Sequence, residues 1–110
     1  MPGSIPIPSG NMPGLTLKAW VKFNPTNGVI SSSSNIASMV RNGVGNYTFT
    51  YAVPFITNFP LLDFRHASTS QPSTLWAYIS SASTTAPTIN TVVGGTNADI
   101  SSLNYFGFYE

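Results

Sequence analysis

Apolar and polar residues alternate along most of this chain, and a period of two is typical of half-buried β-strands. The clearest case begins at Leu15, where every second residue up to Phe23 is apolar and the residues between are mostly polar. Tyr47–Tyr51 alternates between aromatic residues and threonines. Similar patterns predict further strands over residues 35–41, 61–66, 74–81, 88–93 and 103–109.

Glycine, proline and asparagine separate the predicted strands. Residues 24–28 (NPTNG) end the first strand with strong turn chemistry. Residues 42–46 (NGVGN) contain Asn-Gly and a second glycine, which supply the positive φ that tight hairpins require. We therefore predict an antiparallel hairpin of strands 35–41 and 47–51. Ser31–Ser34 predicts a loop or a weak edge strand.

The number and spacing of these strands predict the fold class. No segment has a helical period, and Gly, Pro and β-branched residues disfavour helices. Six or seven short strands at regular spacing are typical of a sandwich or a small barrel. We predict an all-β protein, an antiparallel β-sandwich of jelly-roll-like architecture, over residues 15–110.

Residues 1–14 differ from the rest of the chain because they hold four prolines and three glycines. Such a composition favours an extended, polyproline-like arm. Ile5, Ile7 and Met12 are the apolar residues by which this arm could anchor to a neighbouring subunit or carrier protein. A frayed terminus is the alternative.

Charged residues are rare, at 6% of the 110 residues, with a net charge of +1. A typical soluble domain has about a quarter. The polarity comes instead from Ser, Thr and Asn, which supply 37 residues. Such a surface gives little repulsion between copies, which favours membership of an assembly. A surface kept soluble by its hydroxyls and amides is the alternative.

The composition also excludes several classes of function. No cluster of Lys or Arg is available to bind phosphates, so we expect no nucleic-acid partner. No apolar run approaches the length of a membrane span, and the first residues lack a secretion signal. The chain has no cysteine, which removes disulfides, thiol catalysis and cysteine-based metal sites.

Two segments resemble short motifs of a known family. Residues 18–24 (KAWVKFN) are similar to the KAWVNFNG signature of a family of bacteriophage tail-fibre and related virion domains. Residues 41–50 (RNGVGNYTFT) are similar, in order and spacing, to the DNGTGDYTVNFT-like hairpin that follows it in that family. The resemblance covers residues 17–60. The matching positions are Lys18, Ala19, Trp20, Val21, Phe23, Asn24, Asn42, Gly43, Gly45, Tyr47 and Thr48.

The resemblance implies a structural protein of the phage particle without enzymatic activity or cofactor. Members of the family are commonly homotrimers, so the expected partners are further copies of the chain, other virion proteins and host-surface glycan. The expected location is the virion, after assembly in the host cytoplasm. A small tail fibre or tail-tip component is the first interpretation. A capsid decoration or head-fibre protein and a free carbohydrate-binding module are the alternatives.

Candidate catalytic residues are few. His66 is the one histidine, and on a strand it would point away from Asp63 and Arg65. We therefore expect no catalytic site, with a plain surface histidine or a pH-sensitive contact as its role. Asp99 and Asn97 could bind calcium in a loop, but an Asx-rich turn is the favoured interpretation, and no metal site is expected.

Exposed aromatic residues are the best candidates for binding. Trp76 and Tyr78 share one face of their predicted strand, with Leu75, Ala77 and Ile79 on the other. Such a pair can pack against another subunit, where Trp and Tyr are enriched, or stack on a sugar ring. Trp20 lies on the otherwise polar face of the first strand, where packing is the favoured role.

Overall fold

Alternation gives each strand one apolar face, and two sheets can bury these faces against each other. The computed structural model describes residues 11–12, 15–57, 60–66, 75–100 and 103–110, and it contains strands and no helix over those ranges. The strands are β1 (Asn11–Met12), β2 (Leu15–Asn24), β3 (Val29–Ser34), β4 (Ile36–Gly43), β5 (Asn46–Tyr51), β6 (Leu61–His66), β7 (Leu75–Ser81), β8 (Thr88–Val93), β9 (Thr96–Asn97) and β10 (Asn104–Tyr109).

The predicted all-β sandwich is confirmed, with all strand pairs antiparallel. Sheet I has the order β3-β2-β10-β6, and β1 pairs with the first residues of β2. Sheet II has the order β4-β5-β8-β7, and β9 pairs with the last residues of β8. The chain passes between the sheets four times, after β3, β5, β6 and β9, as Greek-key sandwiches do.

The predicted strands and hairpin correspond closely to these elements. β4 and β5 form the expected hairpin around Gly45, whose φ is +62°. The serine run lies in β3, an edge strand of sheet I. Asn11 and Met12 pair with Thr16 and Leu15 in β1, so this part of the proline-rich segment is a strand. Ile5 and Ile7 lie outside the described residues.

The core lies between the sheets and is mostly aromatic. Phe23 of sheet I packs edge-on against Phe49 of sheet II, with ring centroids 5.4 Å apart, and Phe49 packs edge-on against Phe106 at 5.5 Å. Each such pair contributes about 0.5–1.5 kcal/mol beyond the burial of its area. The buried cluster consists of Ala19, Val21, Phe23, Tyr47, Phe49, Tyr51, Phe55, Ile89, Phe106 and Phe108.

A register shift interrupts the expected alternation of β2 at Lys18. Phe108 of β10 pairs with Ala19, but the next residue, Tyr109, pairs with Leu17. A side chain on Gly107 would meet Leu17 Cδ1 at 3.3 Å and the Tyr105 hydroxyl at 2.7 Å. Leu17 therefore covers Gly107 on the outer face of sheet I, which corrects its expected place beside Ala19 in the core.

A single asparagine fixes the passage from sheet I to sheet II. Asn35 lies between β3 and β4 with a φ of 58°, a left-handed conformation that asparagine tolerates. Its Nδ2 donates to the carbonyl oxygens of Lys18 and Val53, each at 3.1 Å, and its Oδ1 accepts from Val53 N at 2.6 Å. One side chain thus joins β2, the corner and the segment that follows β5.

Gly45 lies in the tightest place in the hairpin. A Cβ there would lie 2.5 Å from the Thr91 carbonyl oxygen and 2.6 Å from Ala98 N. Both neighbours are backbone atoms, and the Gly45 carbonyl itself accepts from Thr91 N at 2.9 Å. No side chain fits at this position without moving β8 or the segment after β9.

We expect Gly45→Ala to lower the free energy of unfolding by about 2–4 kcal/mol, because it combines a left-handed backbone with a backbone clash. Gly43→Ala in the same hairpin is the matched control, since nothing lies within 4 Å of its Cβ position and its φ is not positive. Urea unfolding at one protein concentration measures both. Equal effects would contradict the role assigned to Gly45.

Candidate functional site

The first motif segment supplies the core and one outer aromatic contact. Ala19, Val21 and Phe23 are at most 1% exposed and belong to the buried cluster. Trp20 points outward and stacks on Tyr105 of the neighbouring strand, with ring centroids 6.4 Å apart. The expected packing role of Trp20 thus has a partner within the chain.

The end of this segment forms a closed turn. Asn24 Oδ1 accepts from Thr26 N at 3.0 Å and from Thr26 Oγ1 at 2.6 Å, and the Asn24 carbonyl accepts from Gly28 N at 2.8 Å. Pro25 is fully buried within this turn. Asn24 therefore acts through local hydrogen bonds that end the strand.

The second motif segment builds the hairpin. Asn42 Nδ2 donates to Asn46 Oδ1 and to Thr48 Oγ1, each at 2.8 Å. Tyr47 is buried, and its hydroxyl donates to Asp99 Oδ1 at 2.5 Å. Together with Gly45, these residues hold the hairpin against the segment between β9 and β10.

Asp99 is the polar centre of this end of the sandwich. Its Oδ2 accepts from Arg41 Nη2 at 2.6 Å and from Arg41 Nε at 3.1 Å, while its Oδ1 accepts from Gly45 N at 2.9 Å and from Tyr47. All these partners donate hydrogen bonds, and one is a cation. The arrangement therefore suits a carboxylate and leaves no ligand geometry for calcium.

These contacts shift three pKa values. Partial burial alone would raise the pKa of Asp99, but hydrogen bonds from Arg41, Tyr47 and Gly45 outweigh burial and lower it below 3.8. Burial and the bond to Asp99 raise the pKa of Tyr47. The bond to Asp99 raises the pKa of Arg41. The cluster is therefore an ion pair with a neutral tyrosine at ordinary pH.

Of the residues considered for catalysis, the structure describes the side chains of Asp63 and Arg65. Asp63 and Arg65 lie on the outer face of β6, with Oδ2 and Nε 3.5 Å apart. His66 pairs through its backbone with Asn104, and its side chain is outside the described structure. Within the described ranges, no three His, Cys, Asp or Glu residues are grouped as metal ligands would be.

Glu110 binds the connection between β5 and β6. Its carboxylate accepts from Thr57 N at 2.9 Å and from Ile56 N at 2.9 and 3.1 Å. The Thr57 N–H lowers the pKa of Glu110; burial opposes this effect, and Ile56 N–H and Lys18 add to it. These residues and Thr16 line an open depression of about 340 Å³.

An apolar end patch, defined here as Val53, Ile56 and Leu61, lies at the same end of the sandwich as this depression, which Ile56 lines. Ile56 is 93% exposed, Val53 is 67% exposed and Leu61 is 51% exposed. Leu61 pairs with Tyr109, next to Glu110 in sequence, and Val53 is joined to the Lys18 carbonyl through Asn35. The patch thus gathers exposed apolar side chains at one end of the sandwich.

The outer face of sheet II is the second exposed surface, and it carries no charge. Alternation and strand register define the face. Its members are Ser38, Val40, Asn42, Asn46, Thr48, Thr50, Trp76, Tyr78, Ser80, Thr88, Asn90, Val92 and Asn97. All seven charged residues of the chain lie elsewhere.

A row of hydrogen-bonded amides crosses this face. Asn42 donates to Asn46 Oδ1 at 2.8 Å, and Asn46 Nδ2 donates to Asn90 Oδ1 at 2.7 Å. Asn90 Nδ2 donates in turn to the Tyr78 hydroxyl at 3.2 Å and to Asn97 Oδ1 at 3.4 Å. The four asparagines come from four strands, and each fixes the next.

Trp76 and Tyr78 stand at one edge of this face, as their spacing predicted. Their ring centroids are 4.9 Å apart with an interplanar angle of 26°, and the residues are 50% and 37% exposed. Val92, opposite Trp76, is only 3% exposed although it lies on the outer face. The two stacked rings thus form an aromatic pair beside the hydrogen-bonded amides of this face.

Comparison of the chain with family models, with curated proteins and with solved structures found no match. The residues that the structure describes form no helix of the length and apolarity needed to cross a membrane.

We expect Asp99→Asn to lower the free energy of unfolding at pH 7 by about 1–3 kcal/mol, because it removes the charge that Arg41, Tyr47 and Gly45 bind. The folded pKa of Asp99 lies below the unfolded one, so the stability from Asp99 is fully present well above the unfolded pKa and is lost as pH falls through the folded pKa. The variant should therefore show a flatter loss of stability in acid.

Asp63→Asn is the control for this experiment, since Arg65 is exposed and their contact is long. We expect its effect to stay within about 0.5 kcal/mol. Thermal unfolding from pH 2 to pH 7 measures both variants. An acid limb for Asp99→Asn as steep as that of the unmodified chain would contradict the role of Asp99.

Proposed function

We propose that this chain is a non-enzymatic structural domain of a bacteriophage particle, a small homotrimeric tail-fibre or tail-tip component that assembles with other virion proteins and contacts the host. The observation that carries the proposal is the apolar end patch of Val53, Ile56 and Leu61 on an almost uncharged sandwich. The assignment to a bacteriophage particle comes from the motif resemblance.

The end patch supports assembly because of how exposed its members are. Ile56 is 93% exposed, and its backbone is held by Glu110 rather than left loose. Covering a fully exposed isoleucine stabilises an interface by about 1.5–3 kcal/mol. Three such residues at one end of the domain supply a contact that a second and third copy can cover.

The low charge supports the same proposal. With a net charge of +1, copies of the chain repel each other little. Edge strands β3, β4, β6 and β7 also offer backbone groups that invite pairing with other chains. Closed symmetry, of which a trimer is one case, satisfies such surfaces without open-ended growth.

The motif residues support the resemblance through their structural roles. Ala19, Val21 and Phe23 fill the core, while Gly45 and Tyr47 fix the hairpin against the opposite end of the chain. Residues that determine a fold in this way are those that a shared motif would retain. A non-enzymatic role also fits the use of Asp99 and Glu110, whose carboxylates are bound by donors within the fold.

We expect the purified chain to have a solution mass near three times 11.7 kDa. Light scattering coupled to size exclusion measures this mass directly. A chain that stays monomeric at millimolar concentration would overturn the homotrimer.

We expect Ile56→Ser to shift the trimer toward monomer by about tenfold or more in the association constant, because each copy loses apolar area at the end patch. Val44→Ser is the matched control, since Val44 is 55% exposed but lies in the β4–β5 hairpin. Unfolding curves for both variants establish that each remains folded. An equal effect of the two substitutions would contradict an interface at the end patch.

Antibody labelling of whole particles separates the tail component from a head fibre or capsid decoration. We expect the label at the tail. Label on the capsid would replace the tail assignment with the head one, and particles that carry no label would contradict a virion protein.

A further inference from the structure

We infer that the outer face of sheet II binds a neutral saccharide of the host cell surface, with Trp76 as the stacking residue and Asn97 and Tyr78 as hydrogen-bonding residues. The inference deepens the proposed function and rests on it for the source of the saccharide. It does not depend on the end patch, which lies on another part of the sandwich.

The absence of charged residues from the face indicates the class of ligand. None of its thirteen residues is charged, and the charged residues of the chain lie on sheet I, at its end, or in the Arg41–Asp99 pair. A phosphate-rich or acidic ligand would find no cation there. A neutral ligand with hydroxyl groups matches a face of amides and hydroxyls.

The stacked pair of Trp76 and Tyr78 favours a ligand that also has an apolar side. Trp76 is half exposed while Tyr78 stacks against it, so the indole is held in place and still accessible. Aromatic faces carry partial negative charge and attract the positive edges of C–H groups. A pyranose ring offers such C–H groups on one side and hydroxyls around its rim.

The amides of this face are already ordered by their hydrogen bonds, and the residues next to them have donor or acceptor groups left for a ligand. Asn97 uses Oδ1 to accept from Asn90, and its Nδ2 makes no hydrogen bond to the described residues. The Tyr78 hydroxyl accepts from Asn90, which leaves its own hydrogen to donate. Ser80 Oγ donates to Asn90 Oδ1 at 3.0 Å and retains the ability to accept.

Order in the free protein favours binding because little side-chain entropy is then lost. Asn90 is 8% exposed and makes hydrogen bonds to four side chains, so it cannot turn toward a ligand. Its hydrogen bonds position Tyr78 and Asn97, and Val92 lies between Asn97 and Trp76 in the strand register. Val92 is only 3% exposed, so a saccharide would stack on the exposed indole of Trp76, with Tyr78 beside it and Asn97 across Val92.

Subunit packing is the competing use of Trp76 and Tyr78. A protein interface has an apolar centre depleted in polar groups. On this face Val40 is separated from the neighbouring Trp76, Tyr78 and Val92 by threonines and asparagines that bond to one another. The end patch offers the more apolar contact for a second copy.

The test uses an array of neutral hexose and N-acetylhexosamine oligosaccharides, with sialylated and sulfated glycans for comparison. We expect binding to neutral members of the array and a loss of about tenfold or more in affinity for Trp76→Ala. Failure to bind any neutral glycan, or binding to acidic glycans alone, would overturn the inference.

A matched pair of single-tryptophan variants places the site. The chain has two tryptophans, so Trp20→Phe leaves Trp76 as the fluorescent reporter and Trp76→Phe leaves Trp20. We expect the bound oligosaccharide to change the emission of Trp76 in the first variant and to leave Trp20 unchanged in the second. A response from Trp20 alone would move the site to sheet I and overturn the inference.

The solution mass separates this inference from the proposed assembly. If a monomer binds saccharide, the inferred site is supported and the proposed trimer is wrong. If a trimer binds no saccharide, the trimer is supported and the inferred site is wrong. Should Trp76→Ala change the mass but not the binding to the array, the aromatic pair would be a subunit contact and the inference would be wrong.

Discussion

The packing of aromatic rings between the two sheets is the interaction on which the rest of this structure depends. Phe23, Phe49 and Phe106 come from both sheets, with centroids 5.3–5.5 Å apart; Phe49 meets the other two edge to face, and Phe23 and Phe106 are tilted against each other. Removal of this apolar surface from water is the main favourable contribution to folding. It also fixes the register of β2, β5 and β10, because a shift of one residue would place these rings outside. The two outer faces, and the residues displayed on them, follow from that register.

Local pattern in the sequence was sufficient to predict most of the strands. Tyr47–Tyr51 and Leu103–Tyr109 alternate clearly because one side of each strand is buried, and the turns carry residues that only turns need. The face shared by Trp76 and Tyr78 followed from the same period of two. Local pattern failed at Lys18, where a register shift against β10 places Leu17 outside the core. The cause of that shift lies in a strand about 90 residues away.

Long-range partners were the part that the sequence could not supply. Asp99 was considered for calcium, but Arg41, Gly45 and Tyr47 bind its carboxylate from a hairpin more than 50 residues earlier. The corner at Asn35 and the amide row from Asn42 to Asn97 depend in the same way on strand order. Asparagine is common in turns, so the asparagine content of the sequence does not indicate which of these side chains will meet. Only the assembled sheets bring these amides into one row.

The absence of charge from the outer face of sheet II has a kinetic consequence. A face without charge cannot attract a ligand through long-range electrostatics, so association with it lacks electrostatic steering. Its rate should change little with ionic strength, since there is no long-range attraction for salt to screen. Retention then depends on how slowly the ligand leaves. In the proposed assembly, several such faces would raise the effective concentration after the first contact, which would hold a weak ligand without any increase in the affinity of each face.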